Sequence, residues 1–455
     1  MKRPVWILHA FVVGLVLHNF VMAELYAAGI RGGLLELISA WKETLLALGL
    51  ALVLLARGTS RPRPQLVDLL ALGYGAVVVL YGVLPQRWLD GTASARGVVL
   101  GVREDLLPVA CYFFGRGLQL GREDMRRLAT TIFVTAAAAA LFGLIDIYSI
   151  TLTWWRHSGV PGWYSHQLGF SYNGVSNLPE NFIYNTGNGH VFRRLVSTLL
   201  SPLASSYVFV AALLLASAWR VRERPALRLW LPLVVLLGAG LLWTHSRSSY
   251  IALSLGLLVL AWLISSARWP LVIAAVATVL IGLVFVRVYP QIAPTAAVTP
   301  QWLHEQAVEA HEAGAGPAVS GFTDASISSH WQSLRAGVKQ VFEHPQGFGP
   351  GNAGSTAART GAVIRAGEST YTQLGVDAGL AGAILFVAWS GLLLWRLVLG
   401  LPWLAATFAA MLALALQTDI LGVPWIVYVI WTLAGSFAVC GTRQGARLTW
   451  RSRSA

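Results

Sequence analysis

About twelve stretches of this chain stay apolar for the roughly 20 residues that a helix needs to cross the hydrocarbon core of a bilayer. They begin near Val5, Gly33, Leu66, Gly97, Leu128, Leu195, Leu227, Ser248, Trp269, Thr370, Leu401 and Pro424. Composition agrees, with 56% hydrophobic and 12% charged residues and a mean hydropathy of +0.62, against about 25% charged residues in a typical soluble domain. The expectation is an all-α polytopic membrane protein, with about twelve transmembrane helices in a single transmembrane domain over residues 1–455. The first stretch is followed at once by others and lacks a small-residue cleavage site, so it is expected to stay as a helix and not to be removed as a signal peptide.

A formal net charge of +13 would suit a polyanionic partner, but its distribution argues otherwise. With the N-terminus inside, 19 of the 33 Lys and Arg fall in short inside segments, from Lys2 and Arg3 through Arg57, Arg61 and Arg63 to Arg443–Arg453. This positive-inside bias accounts for the charge without nucleic acid and puts both termini in the cytoplasm. Cys111 and Cys440 lie in apolar helices, so no disulfide framework is expected in the outside loops.

Two outside segments are long, about 149–193 and 287–369. The first is rich in Gly, Asn, Tyr and His, as in YNTGNGH from Tyr184 to His190, and reads as an irregular polar lid. The second opens with Pro290, Pro294 and Pro300. Ile327, Trp331, Leu334, Val338, Val341 and Phe342 then recur at helical spacing, predicting an amphipathic surface helix near 327–343. It ends at His344 and Pro345, and Gly347, Gly349 and Gly351 follow in a tight turn.

Arg194, Arg247 and Glu368 each stand where an apolar helix meets the outside boundary. Two cations and a carboxylate gathered there suit a phosphorylated lipid. Guanidinium forks bind phosphate oxygens in pairs and stay charged, and a carboxylate can take the proton of an attacking hydroxyl. Each residue also has a structural reading. An arginine at a helix end snorkels to the interface, and Arg193 competes with Arg194 for the functional role. Glu368 would cap its helix, and the glycines would be a turn alone. Among charges within spans, Lys42, Glu43, Arg103, Glu104 and Asp105 are expected to pair structurally, although Arg103 lies near enough to the outer face to join a phosphate site. His18, Asp146 and Asp419 also fall toward that face and are assigned no chemistry.

Four runs carry a family resemblance. RLVSTLLSP from Arg194, THSRSS from Thr244, HPQGFGPGN from His344 and ESTYTQLGVDAGLAG from Glu368 resemble, in that order, the motifs of the O-antigen ligase and polymerase family of membrane glycosyltransferases. The likeness covers roughly residues 190–390. Ser197 and Ser201 replace residues of the first motif. Glu368 stands where ligases of the family carry His, as in polymerase-type members.

The resemblance implies a GT-C-like enzyme, with no metal and no cofactor, in the cytoplasmic (inner) membrane with its active site on the extracytoplasmic face. It would move a glycan from a polyprenyl (undecaprenyl) pyrophosphate to an acceptor sugar hydroxyl with inversion, polymerising O-antigen or exopolysaccharide units. Ligation to a lipid A-core is the alternative, and a lipid-linked glycan flippase is the alternative of another class. The implied partners are the lipid-linked oligosaccharide, an acceptor glycan or glycolipid, membrane lipids, and a chain-length regulator or flippase. Arg194, Arg247, Arg193 and Arg103 would bind pyrophosphate, Glu368 would be the catalytic base, and Gly349, Gly351 and Asn352 would form a substrate loop. Trp163, Tyr172 and Asn181 are expected to stack on or hydrogen-bond to sugars.

Overall fold

The computed structural model describes residues 4–57, 64–170, 178–185, 191–296, 304, 308, 325–367 and 369–438. Its helices are α1 (Val5–Ala27), α2 (Gly32–Ser39), α3 (Trp41–Arg57), α4 (Leu66–Val83), α5 (Ala95–Leu118), α6 (Arg122–Ser149), α7 (Leu152–His157) and α8 (Val160–Gly162). After a hairpin of β1 (Ile183–Asn185) and β2 (Val191–Arg193) come α9 (Pro202–Glu223), α10 (Leu227–Trp243), α11 (Arg247–Leu263) and α12 (Arg268–Ile292). The chain then forms α13 (Ala325–Glu343), α14 (Gly354–Thr360), α15 (Thr370–Val398), α16 (Pro402–Leu414) and α17 (Thr432–Phe437). In the hairpin, Ile183 lies opposite Arg193 and Tyr184 opposite Phe192.

The protein is an all-α polytopic membrane protein. Among the described residues six helices, α1, α4, α6, α9, α12 and α15, are long and apolar enough to cross a bilayer. The pair α2–α3, bent by 41°, makes a seventh, and α10, α11, α16 and the segment Ile426–Phe437 are shorter apolar helices. The remaining expected stretch is α5, which carries Arg103, Glu104 and Asp105 in mid-helix. α9 lies at the centre, with both its small and its large apolar side chains buried from Tyr207 to Ala216. Near one end of the bundle Arg116 forks onto Asp68, with both bonds at 2.8 Å, and Tyr112 donates to the same carboxylate at 2.6 Å.

The helix expected from Leu195 starts later, at Pro202. Ser197 and Leu200 hold positive φ angles of 54°, and a 3-10 turn over Ser197–Leu199 fills the interval. Ser201 then caps the helix, accepting from the Ala204 N–H at 3.3 Å, and Pro202 sits where no N–H is needed. α12 runs on to Ile292, so Arg287 belongs to that helix and not to the loop after it. α13 matches the expected surface helix. Gly337 and Val341 are buried on one side, with Gly337 against Thr372 of α15, while Trp331, Val338 and Phe342 are exposed.

α15 is interrupted. Ala378 and Gly379 leave helical geometry, Gly379 with φ +67°, which frees backbone groups within a span. Lipid cannot satisfy such groups, so protein has to where the break is shielded from water. The His344–Asn352 turn does so: Leu380 N–H donates to Pro345 O at 2.8 Å, and Phe348 N–H donates to Val376 O at 2.6 Å. A Cβ on Gly379 would lie 2.9 Å from Pro345 O and 3.0 Å from Gln346 O, whereas one on Gly391 of the same helix would meet nothing. Gly379→Ala is therefore expected to lower the melting temperature in detergent by several degrees, from about 1–3 kcal/mol of backbone strain. Gly391→Ala should leave it unchanged or raise it slightly.

Candidate functional site

Two neighbouring arginines on the strand that leaves the hairpin have different fates, because successive side chains of an extended strand point to opposite sides. The strand is clamped by Arg193 N–H to Pro294 O, Arg194 N–H to Phe182 O and Leu195 N–H to Trp243 O, each at 2.9 Å. Arg193 turns inward, where its guanidinium donates to the carbonyls of Asp146 (3.3 Å), Ile147 (3.1 Å) and Ile150 at the end of α6. It also pairs with the Asp146 carboxylate at 3.3 Å, which takes the Trp155 indole N–H at 2.7 Å. Arg193 thus satisfies carbonyls that the helix end leaves open, and Asp146 is its counter-ion.

Arg194 faces the other way. Its Nε–H donates to Thr244 O at 2.9 Å, and its two terminal nitrogens have no hydrogen bond or ion pair among the described residues. Burial, opposed in part by nearby tyrosines, brings its pKa down to about 10. Arg247 is the first residue of α11, where the open N–H groups and the helix dipole favour an anion. Its guanidinium stands 5.8 Å from the centre of the Tyr184 ring, and it is an electrostatic neighbour of Arg194. Between them in the same turn is His245, buried, with φ +50°, which the sequence reading passed over although it lies inside THSRSS. Arg194, Arg247 and His245 therefore share one site, formed by the hairpin and the ends of α10, α11 and α12.

The glycine turn has a structural basis. Gly347, Gly349 and Gly351 have φ of +68°, +91° and +87°, and a Cβ on Gly351 would lie 2.5 Å from Gly97 O of α5. Asn352 is fully buried. Its Nδ2 donates to Gln86 Oε1 (2.8 Å), Phe348 O (3.0 Å) and Gly349 O (2.8 Å). Its Oδ1 accepts from the Thr92 and Ala93 N–H groups at 2.7 and 3.1 Å. With every donor and acceptor of its amide engaged, Asn352 locks this turn to the loop before α5 and offers nothing to a substrate.

Arg103 stands apart from the arginine pair. It meets Glu43 at 2.5 Å, and Lys42 meets the same carboxylate at 3.5 Å. With Arg96, Arg359, Trp163 and Gln167 they line a cavity of about 260 Å³ beside the α2–α3 bend. Trp163 is thus buried between an apolar cluster and this cavity. Glu104 accepts from Thr356 at 2.6 Å and Gln373 at 3.2 Å. The pairing expected within spans holds for Lys42, Glu43 and Arg103. It does not hold for Asp105, which is fully buried with no hydrogen-bond partner for either oxygen among the described residues. Asn181 is half-buried beside the hairpin.

Glu368 and Tyr172 lie outside the described residues. The next residue, Ser369, is the N-cap of α15, and its hydroxyl donates to Ala415 O at 3.1 Å. The acidic Asp419, in the loop after α16, accepts from Leu421 and Gly422 N–H at 3.0 Å each. Burial, followed by the neighbouring Glu104 charge, holds its carboxyl well above the usual carboxylate range.

No curated protein matches the chain significantly. Residues 232–387 match the family model described as O-antigen ligase, a segment that holds Arg247, the glycine turn, position 368 and the break in α15, and that begins after Arg194. Over this segment the chain is similar to the O-antigen ligase family.

Proposed function

We propose that the protein is a membrane glycosyltransferase that takes a glycan from a polyprenyl pyrophosphate and joins it to an acceptor sugar hydroxyl at the extracytoplasmic face of the cytoplasmic membrane. The observation that carries this reading is the pair of arginines beside the turn between α10 and α11, with the terminal nitrogens of Arg194 uncommitted among the described residues. Two guanidinium groups match the paired oxygens of a pyrophosphate. The bonds of Arg193 to α6, and the place of Arg103 in another cavity beside Glu43, favour Arg194 and Arg247 for this role.

In the reaction, the acceptor oxygen attacks the anomeric carbon, forming the new glycosidic C–O bond on the face opposite the carrier. The C–O bond to pyrophosphate breaks, and its electron pair goes to a phosphate oxygen held by Arg194 and Arg247. The acceptor proton passes to Glu368. A departing anion met by preorganised cations is stabilised most as the bond breaks, and removing one such donor typically costs about 3–4 kcal/mol of transition-state stabilisation. Glu368 at the position where ligases of the family carry His favours polymerisation of repeat units, with ligation as the alternative. The interrupted α15, with Asp377 beside the break, is also a feature of transporters and keeps a flippase as the second reading.

The test is an assay of purified protein with polyprenyl-pyrophosphate-linked oligosaccharide alone, following free polyprenyl pyrophosphate and glycan length. Release accompanied by longer lipid-linked glycans is the expected result. Release only with a second acceptor would turn the reading to ligation, and lipid binding without release under any condition would turn it to the flippase. Glu368→Gln should lower turnover by about 10²–10⁴ and leave carrier binding intact. Arg194→Gln should lower turnover by about 10²–10³ in a folded protein, and Lys at that position should restore little because it lacks the fork. Arg193→Gln should instead destabilise the fold by about 3–5 kcal/mol, since it leaves Asp146 buried without its counter-ion; thermal unfolding in detergent distinguishes the two.

A further inference from the structure

His245 combines three features that packing alone does not explain. Its side chain is only 3% exposed, and neither Nδ1 nor Nε2 has a hydrogen-bond partner among the described residues. Its backbone sits at φ +50°, a region disfavoured for most side chains. Its ring lies against Tyr184, with centroids 4.2 Å apart, and against Tyr289 at 4.5 Å. Buried polar atoms are nearly always hydrogen-bonded, and those that are not call for an explanation. Here two aromatic rings and a strained turn fix the orientation of an imidazole whose nitrogens have no hydrogen-bond partner among the described residues. Strain and unsatisfied groups of this kind gather where a site is preorganised for a ligand.

The groups facing the ring are Tyr184 from β1, Tyr289 from α12, Arg194 from the strand after the hairpin and Arg247 from α11. Burial, with the two arginine charges next, holds the imidazole well below the usual histidine pKa. It is therefore neutral around pH 7, with one N–H to donate and one lone pair to accept. A second cation would repel Arg194 and Arg247, whereas a neutral donor adds a hydrogen bond without adding charge.

We propose that His245 is a third ligand of the phosphate site, its ring N–H donating to a phosphate oxygen held between Arg194 and Arg247. This rests on the pyrophosphate reading above and adds a residue and a role to it. The bond matches a neutral donor to an anionic acceptor, a stronger class than a neutral pair.

The test compares wild type with His245→Phe and His245→Asn in detergent, using farnesyl pyrophosphate as the probe. Phe keeps the ring contacts and removes both nitrogens, so the Kd for the probe should rise about 10- to 100-fold, with only the small loss of melting temperature that positive φ imposes on Phe. Asn tolerates positive φ and restores an N–H donor, so it should recover part of the affinity. A structural histidine would give the reverse, a lower melting temperature with unchanged Kd, and that result overturns the proposal. Should the Phe variant not fold, His245→Gly, which is free of the left-handed strain, takes its place with the same expected loss of affinity. Failure of wild type itself to bind the probe would defeat the pyrophosphate reading; binding unaffected by any substitution at 245 would defeat this inference alone.

Discussion

A helix broken inside a membrane exposes backbone groups that lipid cannot satisfy, and the arrangement around α15 follows from that constraint. Gly379 breaks the helix, and the turn from His344 to Asn352 supplies the missing partners. The turn can approach because its glycines take positive φ and because Gly101 of α5 leaves room for its backbone. Asn352 then ties it to the loop before α5, while the Asn352 N–H donates to Asp377 at 3.1 Å. Through these bonds α5, α15 and the segment between α13 and α15 hold one another in place. The start of α15, next to position 368, is held separately, by the Ser369 hydroxyl and the Thr370 N–H donating to Ala415 O.

At the hairpin a second constraint is at work, the alternation of an extended strand. One arginine of the Arg193–Arg194 pair must face the end of α6, and the other must face the turn between α10 and α11. The inward one joins Asp146 and Trp155 in a buried network that anchors the strand. With the strand anchored, the outward one has little freedom, and its Nε–H to Thr244 O bond aims the remaining nitrogens. A structural arginine therefore orients the one proposed to bind phosphate. Arg193 affects the proposed chemistry only through the position of its neighbour.

Much of the bundle was legible in the sequence, because spanning a bilayer demands about 20 apolar residues and little else competes with that signal. Each expected stretch corresponds to a helix, and α13 was visible from its spacing. The break in α15 was not, since Asp377-Ala378-Gly379 sits within an apolar run that hydropathy reads as continuous. The late start of α9 was hidden for the same reason: Leu195 to Leu200 is apolar but held by left-handed turns. Within the site, residue type pointed to Arg194 and Arg247. It could not separate Arg193 from Arg194, because that choice depends on which way a strand faces. Asn352 was placed in a substrate loop by the family resemblance, and only the structure shows that tertiary hydrogen bonds engage its amide. His245 was overlooked because nothing in a sequence shows whether a ring nitrogen finds a partner.

The electrostatics of the site explain why arginine suits position 194. Burial disfavours any charged form, and Arg247 nearby adds to that. For Arg194 the outcome is a pKa of about 10, so the charged form is lost only as pH rises through that value and is fully present near neutrality. A lysine starts from about 10.4, so the same burial and neighbouring charge would act on a group that already gives up its proton more readily than arginine. A pyrophosphate entering between the two guanidinium groups would reverse the imbalance, since its charges favour both cations. It would meet Arg194 already charged, so binding near pH 7 would require no proton uptake there. His245, neutral for the same reasons of burial and neighbouring charge, would add a donor without adding to the repulsion between the arginines.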